Sequence, residues 1–190
     1  MTLHLIRHGK TVANESKLYC GMTDLALSRA GVQELLALKE QINYPIAEVY
    51  VVSGLMRTVQ TANILFNAPA LCTISELVEI HFGDFEMRGY EELRWDQTYQ
   101  DWLANMEQTS PPGGESKQAF IKRVVGGILE VEHLCKLKGA NNVMVVTHGG
   151  VIASLMEHYF SGEKNFYQWQ PECGRGYTLY LGEGKRYVSI

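Results

Sequence analysis

The sequence predicts an α/β fold in which a largely parallel sheet is covered on both faces by helices. Three observations carry this. Strand-length apolar runs at Leu3 to Ile6, Val49 to Val52 and Val143 to Val146 recur along the chain. Segments of helical period separate them, and strands alternating with helices make parallel sheets with both faces buried. No repeat, low-complexity tract or second domain is evident, so residues 1–190 are expected to form a single domain.

Taken in order, the first strand is Leu3 to Ile6. Ser28 then has the character of a helix cap, followed by the apolar spacing Val32, Leu35, Leu36, Leu38 and Ile42. After the strand Val49 to Val52, a second helix is expected over Leu55 to Phe66, and Leu71 to Ile74 reads as a short strand. From Tyr90 to Met106, Trp95, Tyr99 and Trp102 recur near helical spacing and are expected to pack in the core. Pro111-Pro112-Gly113-Gly114 breaks the chain. A helix carrying Phe120, Val124, Ile128 and Leu129 follows and is expected to run through Gly126-Gly127. Residues 143 to 147 form a strand and Val151 to Phe160 a helix. Tyr177 to Leu181 and Arg186 to Ile190 close the chain as a hairpin around Gly182-Glu183-Gly184.

Composition narrows the function classes. With 46% hydrophobic residues among 190, the chain can bury a sizeable core. A net charge of -4 argues against a nucleic-acid or anionic-membrane surface, because phosphate backbones are held mainly by Lys and Arg. Any anion site must be a local positive pocket in a mildly acidic protein. No run approaches the length of a membrane span or a signal peptide's apolar region, which makes the cytoplasm the expected location. The four cysteines are dispersed and never form C-x-x-C, so they indicate neither a zinc site nor a disulfide framework.

The chemistry gathers at strand ends, where ligands of α/β sheets bind. The first strand runs into Arg7-His8-Gly9, the second into Ser53 and a helix carrying Arg57, and the strand 143 to 147 into Thr147-His148-Gly149-Gly150. A guanidinium is a permanent cation suited to a pair of phosphate oxygens, and histidine serves as nucleophile or base. Gly9-Lys10-Thr11 ends like a Walker A loop, but that loop needs a glycine where His4 stands. None of the cysteines is followed six positions later by arginine, which excludes the cysteine-phosphatase loop.

Four blocks resemble those of the histidine phosphatase, or phosphoglycerate-mutase-like, superfamily, in the same order over residues 5 to 150. They are residues 5–14 (LIRHGKTVAN), 53–62 (SGLMRTVQTA), 77–83 (LVEIHFG) and 147–150 (THGG). The resemblance implies a three-layer α/β/α sandwich with a mixed, mostly parallel central sheet. It makes His8 the nucleophile and Glu79 the proton donor. Arg7, Arg57 and His148 bind the phosphoryl oxygens, with Asn14 and Gly149 adding contacts. Gly21, His81 and Lys10 are assigned to the substrate rim.

The implied reaction has two steps. Neutral His8 attacks phosphorus while protonated Glu79 protonates the departing alcohol. Glu79, now ionised, then activates the water that hydrolyses the phosphohistidine. Glu79 therefore needs a raised pKa, and His8 a lowered one, kept neutral by guanidinium groups nearby. No metal or other cofactor is called for. The partner is a small-molecule phosphate ester; the oligomeric state is not readable.

A chain of this length favours hydrolysis over mutase activity within the resemblance. Residues 82–88 (FGDFEMR), with Gly114-Glu115 and Gln118-Ala119-Phe120, are similar to the α-ribazole-5′-phosphate phosphatases of cobalamin nucleotide-loop assembly. The broader family more often has Glu-Gly at Glu86-Met87. Phe85 stands where tryptophan is common, and Lys10 where glutamate is. A broad sugar-phosphate phosphatase, a phosphoglycerate mutase and a non-catalytic phosphate binder are the alternatives.

Overall fold

A computed structural model describes every residue except Pro69 and Glu183. Six strands form one sheet in the order β3-β2-β4-β1-β5-β6. They are β1 (Thr2–Arg7), β2 (Val49–Val52), β3 (Cys72–Thr73), β4 (Asn142–Thr147), β5 (Gly176–Tyr180) and β6 (Arg186–Ser189). β1, β2, β3 and β4 pair in parallel, while β5 is antiparallel to both β1 and β6. The predicted closing hairpin is therefore present, and Glu183 of its expected turn lies outside the described residues.

Period-2 alternation sends each strand's side chains to opposite faces. Leu3, Leu5, Val49, Val51, Val143 and Val145 pack against α6 (Lys117–Lys138) and α7 (Gly149–Tyr159). On the other face Ile6, Val52, Met144 and Val146 pack against α2 (Arg29–Gln41) and α3 (Met56–Phe66). Burying each such side chain contributes roughly 1.5–3 kcal/mol, which is why both faces must be covered. The result is the three-layer sandwich, with α2 capped as expected by the Ser28 side chain accepting from Gly31 N–H.

A third cluster stands apart from the sheet: Phe85, Leu93, Tyr99 and Trp102, with Tyr19 and Phe82 packed on them. Periodicity predicts one helical stripe from Tyr90 to Met106, but two helices form, α4 (Tyr90–Leu93) and α5 (Gln97–Ala104). Asp96 caps α5 by accepting from the Thr98 and Tyr99 N–H groups, so helical phase is lost between them. Tyr99 and Trp102 stay buried three residues apart, whereas Trp95 is 84% exposed. Two short helices, α1 (Val12–Glu15) and α8 (Phe166–Trp169), had no counterpart in the sequence reading. Among the described residues no helix is long and apolar enough to cross a membrane.

Candidate active site

Strand register explains why the histidines meet. Arg7 lies opposite Thr147 across the parallel β1–β4 pair, so the residues that follow, His8 and His148, emerge side by side. Their ring centroids are 5.1 Å apart. β2 ends one strand over and contributes Ser53, while α3 contributes Arg57 from its first turn. The expected gathering at one sheet edge is thus seen.

Hydrogen bonds fix the two imidazoles in different tautomers. His8 Nδ1 lies 2.7 Å from the Gly9 carbonyl, which only accepts, so Nδ1 carries the proton. The Nε2 lone pair is left to the cavity that His8 lines. At His148 the Arg57 Nε donates to Nδ1 at 3.3 Å, so Nε2 carries the proton and donates to Ser53 Oγ at 2.9 Å. Burial, and secondarily the Arg57 charge, lowers the His8 pKa to about 3 against the Gly9 bond that raises it. His148 is likewise pushed well down, by burial first and then by His8 and Arg57. Both rings are neutral. The expectation named guanidinium groups as the cause at His8; burial is the larger one.

Arg57 is 1% exposed and held from three sides. Besides His148, it donates from Nη1 to the Thr23 carbonyl at 2.8 Å and from Nη2 to the Gly21 carbonyl at 2.6 Å. Three of its five N–H groups are used in this way, and the guanidinium lies just behind the cavity wall rather than lining it. Arg7 donates from Nη1 to Pro171 O at 2.8 Å, and its buried Nε has no protein acceptor. Gly149 makes room for that guanidinium, since a Cβ there would lie 3.1 Å from Arg7 Cζ. Asn14 spends its Oδ1 on the Thr11 N–H and hydroxyl, at 2.9 and 3.0 Å, and so presents its amide donors to the cavity.

Glu79 closes the arrangement. Its Oε1 accepts from Ile80 N–H at 3.0 Å and its Oε2 from Gly150 N–H at 2.8 Å, at the start of α7. Burial raises its pKa, opposed by those two bonds and by Arg7 and Arg57. The carboxyl is thereby biased toward its protonated form in the cavity that His8 also lines.

None of the three residues assigned to the rim lines the cavity that holds His8 and Glu79. Lys10 pairs with Glu34 at 2.8 Å in a neighbouring depression with Arg175, which meets the cavity at Arg7 and Asn14. His81 faces another depression with Ser75 and Ser116. Gly21 is buried rather than at the rim, and a Cβ on it would lie 1.7 Å from Ile80 O. That close approach brings its carbonyl to Arg57. For His148, both ring nitrogens are engaged, so a phosphate reaches it only by displacing the Ser53 hydroxyl.

Sequence reasoning missed Glu86 as an organiser. Its carboxylate accepts from the N–H groups of Gly21, Met22, Thr23 and Phe82 and from the Thr23 hydroxyl. Burial pushes its pKa up, but these bonds outweigh burial and leave it lowered. The loop so held supplies the carbonyls that grip Arg57. Met87, next to it, has φ 59°, a left-handed conformation that glycine adopts without steric cost. That accounts for the Glu-Gly pair more common in the resembling family.

The cavity extends well past these groups. It has a volume of about 430 Å³ and runs from Arg7, His8, Asn14 and Glu79 to walls that include Tyr19, Phe82, Trp102, Met106 and Phe166. Neutral His8 beside the Arg7 guanidinium and the Asn14 amide in this cleft, with Arg57 and His148 packed directly behind them, makes an oxyanion site with a nucleophile inside it.

The chain belongs to the histidine phosphatase superfamily (branch 1), whose model matches residues 3–184. A relative in Escherichia coli (strain K12), adenosylcobalamin/alpha-ribazole phosphatase, is 32% identical over 163 residues, covering 82% of this chain and 77% of its own. The crystal structure of the alpha-ribazole phosphatase from Shigella flexneri superposes with a TM-score of 0.84 at 26% identity, covering 100% of this chain and 95% of the other. A structure of phosphoglycerate mutase from Thermus thermophilus gives a TM-score of 0.74 at 29% identity, covering 100% and 98%. Since that neighbour is matched over nearly its whole length, chain length does not separate phosphatase from mutase. The cavity walls must do so.

Proposed function

We propose that this protein is a metal-independent phosphomonoesterase that hydrolyses α-ribazole 5′-phosphate to α-ribazole and phosphate in cobalamin nucleotide-loop assembly. The observation that carries the choice of substrate is the wall of the cavity. Beyond the phosphate end it is mostly apolar and rich in aromatic side chains, Tyr19, Phe82, Trp102, Phe120, Phe166 and Tyr167, and among its described lining residues the one cation besides Arg7 is Lys117, which is paired with Glu107. A phosphoglycerate would set its carboxylate against those rings without a free cation, whereas a planar base fits them. The names of the relatives favour the same substrate.

In this reading His8 Nε2 attacks phosphorus in line, forming the N–P bond as the ester O–P bond breaks. Glu79 donates its proton to the leaving oxygen. Arg7, the Asn14 amide and the Arg57 charge behind them stabilise the equatorial oxygens. Glu79 then takes a proton from the water that cleaves the phosphohistidine. His148 acts by orienting Arg57 and staying neutral beside His8. We place the activity in a single cytoplasmic domain; the four cysteines are free thiols, in keeping with a reducing compartment.

The test is steady-state phosphate release with EDTA present, comparing α-ribazole 5′-phosphate with glycerol phosphate and 3-phosphoglycerate, and using His8→Ala as control. At least a tenfold preference in kcat/KM, about 1.4 kcal/mol of transition-state discrimination, is expected for the ribazole ester. Flat rates, or isomerisation of phosphoglycerate faster than release, would overturn the substrate. Turnover surviving His8→Ala would overturn the mechanism.

A further inference from the structure

Glu79 sits on residues 78–82, which belong to neither helix nor strand. A proton donor needs placement within a fraction of an ångström, and a segment without ladder or helix bonds does not provide it by itself. Arg123, on α6, supplies the missing partners. Its Nη1 donates to the carbonyls of Glu76 at 2.7 Å and Val78 at 3.0 Å. Its Nη2 donates to the Glu79 carbonyl at 3.3 Å and to Glu115 Oε2 at 2.7 Å, and its Nε to Glu115 Oε1 at 2.9 Å. All five N–H groups of the guanidinium are therefore used, three of them on the backbone that carries the acid. Glu115 closes the bracket by donating its own N–H to the His81 carbonyl at 2.9 Å. The pair is largely removed from water, with side-chain exposures of 24% for Arg123 and 16% for Glu115.

We propose that Arg123, oriented by its two-pronged bond to Glu115, is a positioning residue for general-acid catalysis: it holds the Glu76–Glu79 backbone so that the Glu79 carboxyl meets the leaving oxygen. The inference rests on the reading of Glu79 as the proton donor. Lysine at this position keeps a charge but has no planar fork to hold three carbonyls and a carboxylate together.

The experiment uses the dependence on leaving group. Glycerol phosphate expels an alkoxide that needs a proton, while p-nitrophenyl phosphate expels a stable phenolate that does not. The ratio of their kcat/KM values, which report the step in which the ester bond breaks, isolates proton donation from binding and fold. Arg123→Lys is expected to lower the glycerol-to-nitrophenyl ratio about 10-fold or more, within the 10² to 10⁴ that a general acid contributes. Glu79→Gln should lower it further, and the double variant should add nothing to Glu79→Gln. A merely structural role for Arg123 would reduce both substrates in proportion, and an unchanged ratio in Arg123→Lys, with Glu79→Gln lowering it, overturns the proposal. If Glu79→Gln itself leaves the ratio unchanged, the acid assignment fails and this inference with it. Should Arg123→Lys not fold, Glu115→Gln, which preserves side-chain shape, carries the same comparison.

Discussion

Gly150→Ala separates the stability of this fold from its chemistry. A Cβ at Gly150 would lie 2.3 Å from Glu79 Oε1, 3.1 Å from Cδ and 3.2 Å from Oε2. Ordinary contact requires the carboxyl to retreat by roughly 1 Å, and it is the free end of a flexible side chain, so it can move. The retreat gives up the 2.8 Å bond from Gly150 N–H, a loss of about 0.5–1.5 kcal/mol. Against this, alanine in place of glycine within α7 gains about 0.5–1 kcal/mol. The two nearly cancel, so Tm should move by no more than about 4 °C. Activity should respond differently, because a misplacement of about 1 Å can lower the rate about 100-fold. Losing one of the bonds that lower the Glu79 pKa also lets burial push it higher, so the alkaline limb of kcat/KM should move to higher pH rather than vanish. The assays are calorimetric unfolding and a kcat/KM profile on glycerol phosphate. Wild-type turnover in a folded variant would refute the placement of Glu79 as acid.

Acid stability offers a second check. The His8 pKa of about 3 in the folded chain lies below about 6.5 for an unfolded histidine. The unfolded chain therefore binds the proton first as pH falls, and stability drops from about pH 6.5 down to about pH 3, by up to ~1.4 kcal/mol per pH unit. His8→Asn should flatten that slope in denaturant titrations, though not abolish it, since His148 shifts in the same direction. Glu86→Gln replaces an acceptor-only group by one carrying an amide donor among four backbone N–H groups and a hydroxyl. It should loosen the Gly21–Thr23 loop, free Arg57 and raise KM for phosphate esters several-fold, with a Tm lower by a few degrees; an unaltered KM would count against the loop's role. Trp102→Ala should lower kcat/KM for α-ribazole 5′-phosphate more than for glycerol phosphate, because Trp102 lines the cavity. Trp95→Ala, at an 84% exposed side chain, should change neither.

The comparison of these residues shows where local sequence is informative. Trp95, Tyr99 and Trp102 look alike by period, yet the cap at Asp96 restarts the helix and turns the first outward. Lys10 is one residue from the Arg-His-Gly motif and still faces Glu34 rather than the substrate cavity. Among Glu76, Glu79, Glu86, Glu91 and Glu92, spacing alone does not say which carboxyl is the acid. The resemblance selected Glu79, and its contact with Gly150 spans 71 positions.

The sheet, its covering helices and the edge at which Arg7, His8, Ser53, Arg57 and His148 meet are legible residue by residue. Those follow from short-range rules, because apolar runs and capping residues set the elements and strand ends set the edge. The protonation states, the grip of Glu86 on the loop behind Arg57 and the bracket of Arg123 and Glu115 around Glu79 arise only when the chain is folded. Desolvation and hydrogen-bond partners come from chain segments far apart in sequence. A buried carboxyl and an exposed one differ by what is folded around them, and no local pattern records that.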